Sequence, residues 1–192
     1  MNTELTLSQA INRAPSIGAH RPSMSVSDKY KPINTVDVLR VLLDKGWIIQ
    51  SANQARAMNL INRGFTKHVI TLKHPEFQYS VGGLIPTLNV VNSHNATSAL
   101  KLFWGLFRMV CSNGLIIGEK TYEAPRVIHV GQSVQSQVQN TLIHLDKHKD
   151  KMLSDLSLIK RTEFTPIEAF NLAKAAVDAR WGNIDKMPER AF

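Results

Sequence analysis

Cysteine is nearly missing: Cys111 is the only one in 192 residues. No intrachain disulfide can form, so burial and hydrogen bonding must hold the fold, as suits a reducing compartment. Buried in an apolar segment, Cys111 is expected to act as a small hydrophobe. Long apolar runs are missing too. Nothing approaches about eighteen uninterrupted apolar residues, so no membrane-spanning helix is expected. The opening MNTELTLSQAINRAP has no basic stretch followed by an apolar one, and no secretory signal is expected from it.

Acids are scarce where catalysis would need them. The first 118 residues hold only Glu4, Asp28, Asp37, Asp44 and Glu76, well dispersed. A two-metal nuclease or polymerase needs clustered carboxylates. Gly82-Gly83 lacks the GxxxxGK or GxGxxG surroundings that cradle phosphates, and no GxSxG elbow is present. His144 and His148 stand one helical turn apart, but neither HExxH nor a cysteine pair accompanies them. Beside Asp146 and Lys147 they read as a surface pair. The expectation is a non-catalytic protein with no cofactor and no metal.

What the chain does have is positive charge. Twenty-three Lys and Arg oppose fifteen Asp and Glu, for a net +8. That favours a polyanionic partner, nucleic acid ahead of an anionic membrane surface. The 43% hydrophobic content is ample for a core.

The strongest apolar pattern runs from His94 to Ile117. Ala99, Leu100, Leu102, Phe103, Leu106, Phe107 and Val110 recur at three- and four-residue steps, which predicts a central helix. Asn95 would cap it and Ser112-Asn113-Gly114 would end it. Lys101, Gly105, Arg108 and Ser112 form the opposite stripe, with Trp104 at its border.

Upstream, Pro15, Gly18 and Pro22 make residues 1–31 a flexible basic arm, with room for a short helix over Leu7–Asn12. A helix over Thr35–Lys45 follows, capped by Thr35 and stopped at Lys45-Gly46. Trp47-Ile48-Ile49 opens a strand, Asn62-Arg63-Gly64 is a turn, and Thr66–Lys73 and Leu84–Ser93 are further strands. Lys67, Val69, Thr71 and Lys73 share one strand face. Short connections predict an antiparallel meander. Beyond Gly118 the pattern gives a short strand at Arg126–Val130 and a long helix from Val134 to Lys160. Val138, Leu145, Met152 and Ile159 follow at heptad spacing, a seam that Lys149 interrupts. Thr165-Pro166-Ile167-Glu168 is a capping box that starts a last helix to Trp181. The fold class is therefore α+β: an antiparallel three- to four-stranded sheet covered by a central helix, with additional C-terminal helices. The divisions are the arm (1–31), the α+β core (32–131) and a helical part (132–192) packed on the core or on a neighbouring subunit.

Seven residues are candidates for nucleic-acid contact. Arg56, Arg63, Lys67 and Lys73 cluster around the strands, and Lys101, Trp104 and Arg108 lie on the expected helix. Phosphates want Lys and Arg, and unstacked bases want aromatic planes. The competing reading is ordinary solvated surface.

Tyr30-Lys31-Pro32, Thr35-Val36-Asp37, Gly46-Trp47, Gly64-Phe65-Thr66-Lys67-His68, Ile85-Pro86, Asn92-Ser93-His94 and the run from Leu106 to Leu115 carry a resemblance. With them the chain resembles the phage/plasmid-like family of unknown function over residues 28–182. The order of elements is also similar to the β-β-β-α core of single-strand annealing proteins. That likeness implies rings or filaments that hold single-stranded DNA by its backbone. Together these readings lead to a single-stranded DNA-binding protein of a phage or mobile element, promoting annealing in recombination as a homo-oligomer in the bacterial cytoplasm. RNA and duplex DNA are the alternative nucleic acids. The alternative function is a protein-interaction module that inhibits a host defence complex.

Overall fold

The computed structural model describes residues 4–24, 26, 30, 32–57, 62–77, 84–108 and 134–182. Their order is α1 (Leu7–Arg13), a 3-10 turn (Pro15–Gly18), α2 (Thr35–Asp44), β1 (Ile48–Gln54), β2 (His68–Lys73), a second 3-10 turn (Pro75–Phe77), β3 (Leu84–Asn92), β4 (Lys101–Arg108), α3 (Val134–Lys147), α4 (Lys149–Arg161) and α5 (Pro166–Trp181). The α+β class stands, and the four strands form one antiparallel sheet in the order β1-β2-β3-β4. Among the described residues, no helix is long and apolar enough to cross a membrane.

The expected central helix is corrected. Its middle is β4, which pairs with β3 over eight residues from Leu84↔Arg108 to Val91↔Lys101. The three- and four-residue recurrence arose because the strand is apolar on both faces, and a continuous apolar run fits helix and buried strand alike. Leu102 and Trp104 face the core on one side, while Phe103 is half-buried on the other. Residues 109–117, the second half of that expected helix, and the expected strand at Arg126–Val130 lie outside the described residues.

Strand alternation sorts the sheet into two faces. Ile70, Leu72, Leu88, Val90 and Leu102 line the first, all at most 1% exposed. A register shift between Ile49 and Ser51 lets Ile49 and Ala52 both reach this face. Two helices are fastened to it. Thr35 at the start of α2 contacts His68 on β2, and the Trp104 indole on β4 donates to the Leu145 carbonyl on α3 at 2.9 Å. On the second face Thr71, Thr87, Asn89 and Val91 are also buried. Asn53 and Lys67, at the margin of that face, are exposed.

Helix α2 ends as its sequence predicts. Gly46 adopts a φ of +86°, and the amides of Gly46 and Trp47 donate to Leu43 and Leu42. This closes a Schellman motif that satisfies two orphan carbonyls. Its start is different. Thr35 lies inside the helix, and its hydroxyl is used elsewhere.

The N-terminal arm is corrected as well. Thr6 and Gln9 form a reciprocal capping box for α1. Leu5 bridges to Ile49 at the edge of β1, and Ala10, Ala14 and Ile17 are fully buried. Residues 4–18 thus belong to the core, because their small and apolar side chains lie at helical spacing against β1.

The long C-terminal helix is broken at His148, where α3 gives way to α4. The seam itself is real at Val138, Leu145 and Met152, which are 0%, 1% and 4% exposed. The chain divides into two compact units, Met1–Ser154 and Asp155–Phe192. Hence α3 belongs with the sheet, and the expected boundary at 132 moves into α4. In the second unit, Thr165 and Glu168 form the expected capping box, Pro166 takes the first turn, and Gly182 ends α5 with φ +77°.

Candidate nucleic-acid interface

Antiparallel pairing decides which candidates meet. The C-terminal ends of β1 and β3 and the N-terminal ends of β2 and β4 share one end of the sheet. Lys101 is in register with Val91, Val91 with Val69, and Val69 with Asn53. Arg56 follows β1, Arg63 lies in the turn before β2, and Lys67 immediately precedes β2. These three are exposed, and Lys101 is half-buried. The Gln54 amide donates to the Arg63 carbonyl and the Ala55 amide to the Lys67 carbonyl, which holds this hairpin end closed. Four of the seven candidates therefore come together.

The other three do not join them. Lys73 ends β2 at the opposite end of the sheet and pairs with Glu4 at 2.8 Å. Arg108 stands opposite Leu84, also at that far end. Trp104 is 3% exposed, its indole tilted 5.9 Å from Trp47 and its N–H bonded to Leu145. The stripe of Lys101, Trp104 and Arg108 does not exist, because alternation on a strand puts residues 101 and 104 on opposite faces.

Beneath the basic end lies a polar cluster that charge alone does not reveal. His68 and His94 are fully buried and stack with centroids 5.6 Å apart. The Thr35 hydroxyl lies 2.8 Å from His68 Nε2 and 3.4 Å from His94 Nε2, and Asn92 Nδ2 donates to it at 3.0 Å. Asn92 also donates to the Ile33 carbonyl at 2.9 Å. His68 Nδ1 lies 3.2 Å from the Thr66 carbonyl. A carbonyl only accepts, so His68 carries its proton on Nδ1 and takes the Thr35 hydroxyl proton at Nε2. The second lone pair of Thr35 then accepts from His94 Nε2–H. This assignment leaves His94 Nδ1 a bare acceptor, buried without a hydrogen-bond partner among the described residues.

Both imidazoles are held neutral. Burial lowers His68 to about 4, against the Thr66 carbonyl that raises it, with the neighbouring His94 lowering it further. Burial lowers His94 to about 4 as well, helped by His20. Backbone bonds from Ser23 to the His94 carbonyl and from His94 to the Phe65 carbonyl tie three segments at this point, and Tyr30 caps the Ser93 carbonyl. The cluster fixes the loops from which Arg63 and Lys67 project.

The β3–β4 loop completes the end. Ser93 Oγ accepts from the Ser98 amide at 2.8 Å, and Asn95 Oδ1 accepts from Thr97. Ala96 between them adopts φ +60°. A non-glycine residue in the left-handed region marks a loop held in a particular shape by its surroundings.

Several of these residues were already present in the sequence motifs, as Thr35, His68 and Asn92-Ser93-His94. Comparison with known proteins gives them a family. Residues 22–191 match the family described as Domain of unknown function (DUF932). The chain belongs to that family. Among curated relatives, UPF0380 protein YafZ of Escherichia coli (strain K12) is 33% identical over 181 residues, covering 93% of this chain and 64% of YafZ. UPF0380 protein YfjQ of the same organism is 31% identical over 184 residues, with the same coverage. The chain thus spans 64% of the length of each. No solved structure matches it. Among the described residues, no group of three His, Cys, Asp or Glu side chains is placed to hold a metal, and the His144 and His148 rings lie 4.9 Å apart as a pair.

Proposed function

We propose that this DUF932 protein is a non-catalytic single-stranded DNA-binding protein of a phage or other mobile element, acting in strand annealing in the host cytoplasm. The observation that supports it is the gathering of Arg56, Arg63, Lys67 and Lys101 at one end of the sheet. Between Asp44 and Glu119 the sequence holds a single acid, Glu76, which follows β2 at the opposite end. The strands that reach the basic end therefore carry no carboxylate of their own, and Arg56, Arg63 and Lys67 are exposed there. Exposed guanidinium and ammonium groups of this kind contact phosphates and carry little base information. The polar β3–β4 loop adds hydroxyl and amide groups of the type that fix a strand's register. Trp104 has no place in this interface.

Binding of labelled oligonucleotides over a salt series tests the reading. Wild type should bind single strands at low salt and weaken steeply as salt rises, since counterion release scales with the number of phosphates neutralised. Changing Arg56, Arg63 and Lys67 together to Ala should lower the slope of log K against log salt by about 0.7 for each phosphate no longer neutralised. Lys73→Ala, at the far end, should leave it unchanged. An unchanged affinity and slope in the triple variant would remove the basic end from the interaction.

A further inference from the structure

The basic end offers cations to phosphates, but with Trp104 buried its plane for a base must come from elsewhere. The turn before β2 supplies one. In the run Arg63-Gly64-Phe65-Thr66-Lys67, Phe65 stands two residues from each of two exposed cations. Its own side chain is half-buried, so part of it rests on the protein and part stays open. At the adjoining Gly64 an added methyl group would meet no atom within 4 Å, so the turn has clear space beside Phe65.

The backbone that carries Phe65 is fastened on both sides. Its amide donates to the Asn62 carbonyl at 3.0 Å and closes the turn, and its carbonyl accepts from the His94 amide at 3.0 Å. Gln54 Nε2 donates to the Arg63 carbonyl at 3.0 Å, and the Ala55 amide donates to the Lys67 carbonyl at 2.7 Å. Through His94 the turn is tied to the buried histidine cluster. A side chain presented on backbone already fixed loses little freedom when a ligand arrives.

We infer that Phe65 is the stacking surface for an unpaired base of the strand whose phosphates Arg63 and Lys67 hold. This rests on the function proposed above and adds the base to it. Two residues of chain span at most about 7 Å, so both cations flank the ring at short range. Phosphates drawn to Arg63 and Lys67 bring their bases to the only kind of surface a flat apolar face favours, another flat face. The phenyl ring has no hydrogen-bonding group, so the contact accepts any base and reads no sequence. In a duplex the bases are stacked on one another and hidden from it. The cations thus attract any polyanion, and Phe65 selects the single strand.

The experiment compares three labelled probes of equal length at one low salt concentration: an intact single strand, the same backbone without bases, and a duplex. Wild type should bind the intact strand at least about fivefold more tightly than the abasic one. Phe65→Leu should bring the intact strand down to the abasic level. Its affinity for the abasic strand and the duplex, and its salt slope, should stay at the wild-type values, because no phosphate contact is lost. Phe65→Trp should keep the preference for bases. Circular dichroism and melting curves check that both variants are folded, and the wild-type comparison needs no variant at all. Wild type that binds intact and abasic strands alike, with a steep salt slope, would overturn the stacking role and leave the basic end as a phosphate site. Phe65→Leu that weakens all three probes equally, or that keeps the preference for bases, would also overturn it. Wild type that binds none of the probes would remove the proposed function together with this inference.

Discussion

The α-carbon of Gly105 on β4 faces the side-chain amide of Asn89 on β3, and a methyl group there would overlap Asn89 Nδ2. Asn89 is fully buried, and its Oδ1 accepts from the Thr71 hydroxyl at 2.9 Å. Glycine at 105 is thus required by a neighbouring strand. Gly105→Ala should lower stability by about 2 kcal/mol, since overpacking a tight site forces a shift. Asn89→Ala in the same chain should recover part of that loss. Urea unfolding of the two single variants and the double one would measure the coupling, and additive losses would show that the two residues do not meet.

The buried histidines predict a pH dependence. Both have folded pKa values near 4, against about 6.5 in an unfolded chain. Below pH 6.5 the unfolded chain takes up protons that the folded one refuses. The stability from neutral burial is therefore complete above about pH 6.5 and is lost as pH falls toward 4. The loss should be on the order of 3 kcal/mol for each histidine across that window. Denaturant midpoints measured from pH 7.5 to 4 would show it. Replacing His68 and His94 by Gln should flatten the curve while lowering its plateau.

Trp104→Phe should lower stability and leave nucleic-acid affinity alone. The change removes the donor to the Leu145 carbonyl and part of a buried ring. A loss of about 1–2 kcal/mol is expected from the hydrogen bond and the space left behind. Unfolding and oligonucleotide binding measured on one preparation separate the two effects. Weakened binding with intact stability would return the tryptophan to the interface.

Ala96→Gly should be mildly stabilising, by about 0.5–1 kcal/mol. Alanine at φ +60° carries a steric cost that glycine does not, only partly offset by glycine's looser unfolded chain. Thermal unfolding tests it. If the loop's shape serves strand contact, the same change should weaken oligonucleotide binding.

Much of the fold was legible in local chemistry. The Schellman stop at Gly46, the capping box at Thr165 and the strands at Ile48, His68 and Leu84 each rest on a few adjacent residues, and each stands where the pattern put it. These signals survive because caps and glycine turns are decided within a span of about four to six residues. The segment from Lys101 to Arg108 is the opposite case. It has few β-branched residues and apolar side chains at helical steps, and its identity depends on β3 lying beside it.

The same division holds for the site. Sequence by itself determined that the sheet region is basic and nearly free of acid, that one cysteine excludes an intrachain disulfide, and that Lys67 and Lys73 share a strand face. Tertiary structure decided that Arg56, Arg63, Lys67 and Lys101 lie at one end of the sheet while Lys73 lies at the other and Trp104 is buried. It also decided that Thr35 serves two buried histidines 33 and 59 residues away rather than capping its own helix. The physical reason is range. Charge and caps are properties of a residue and its near neighbours, whereas strand register and buried hydrogen bonds are settled by partners that only folding brings within about 3 Å of each other.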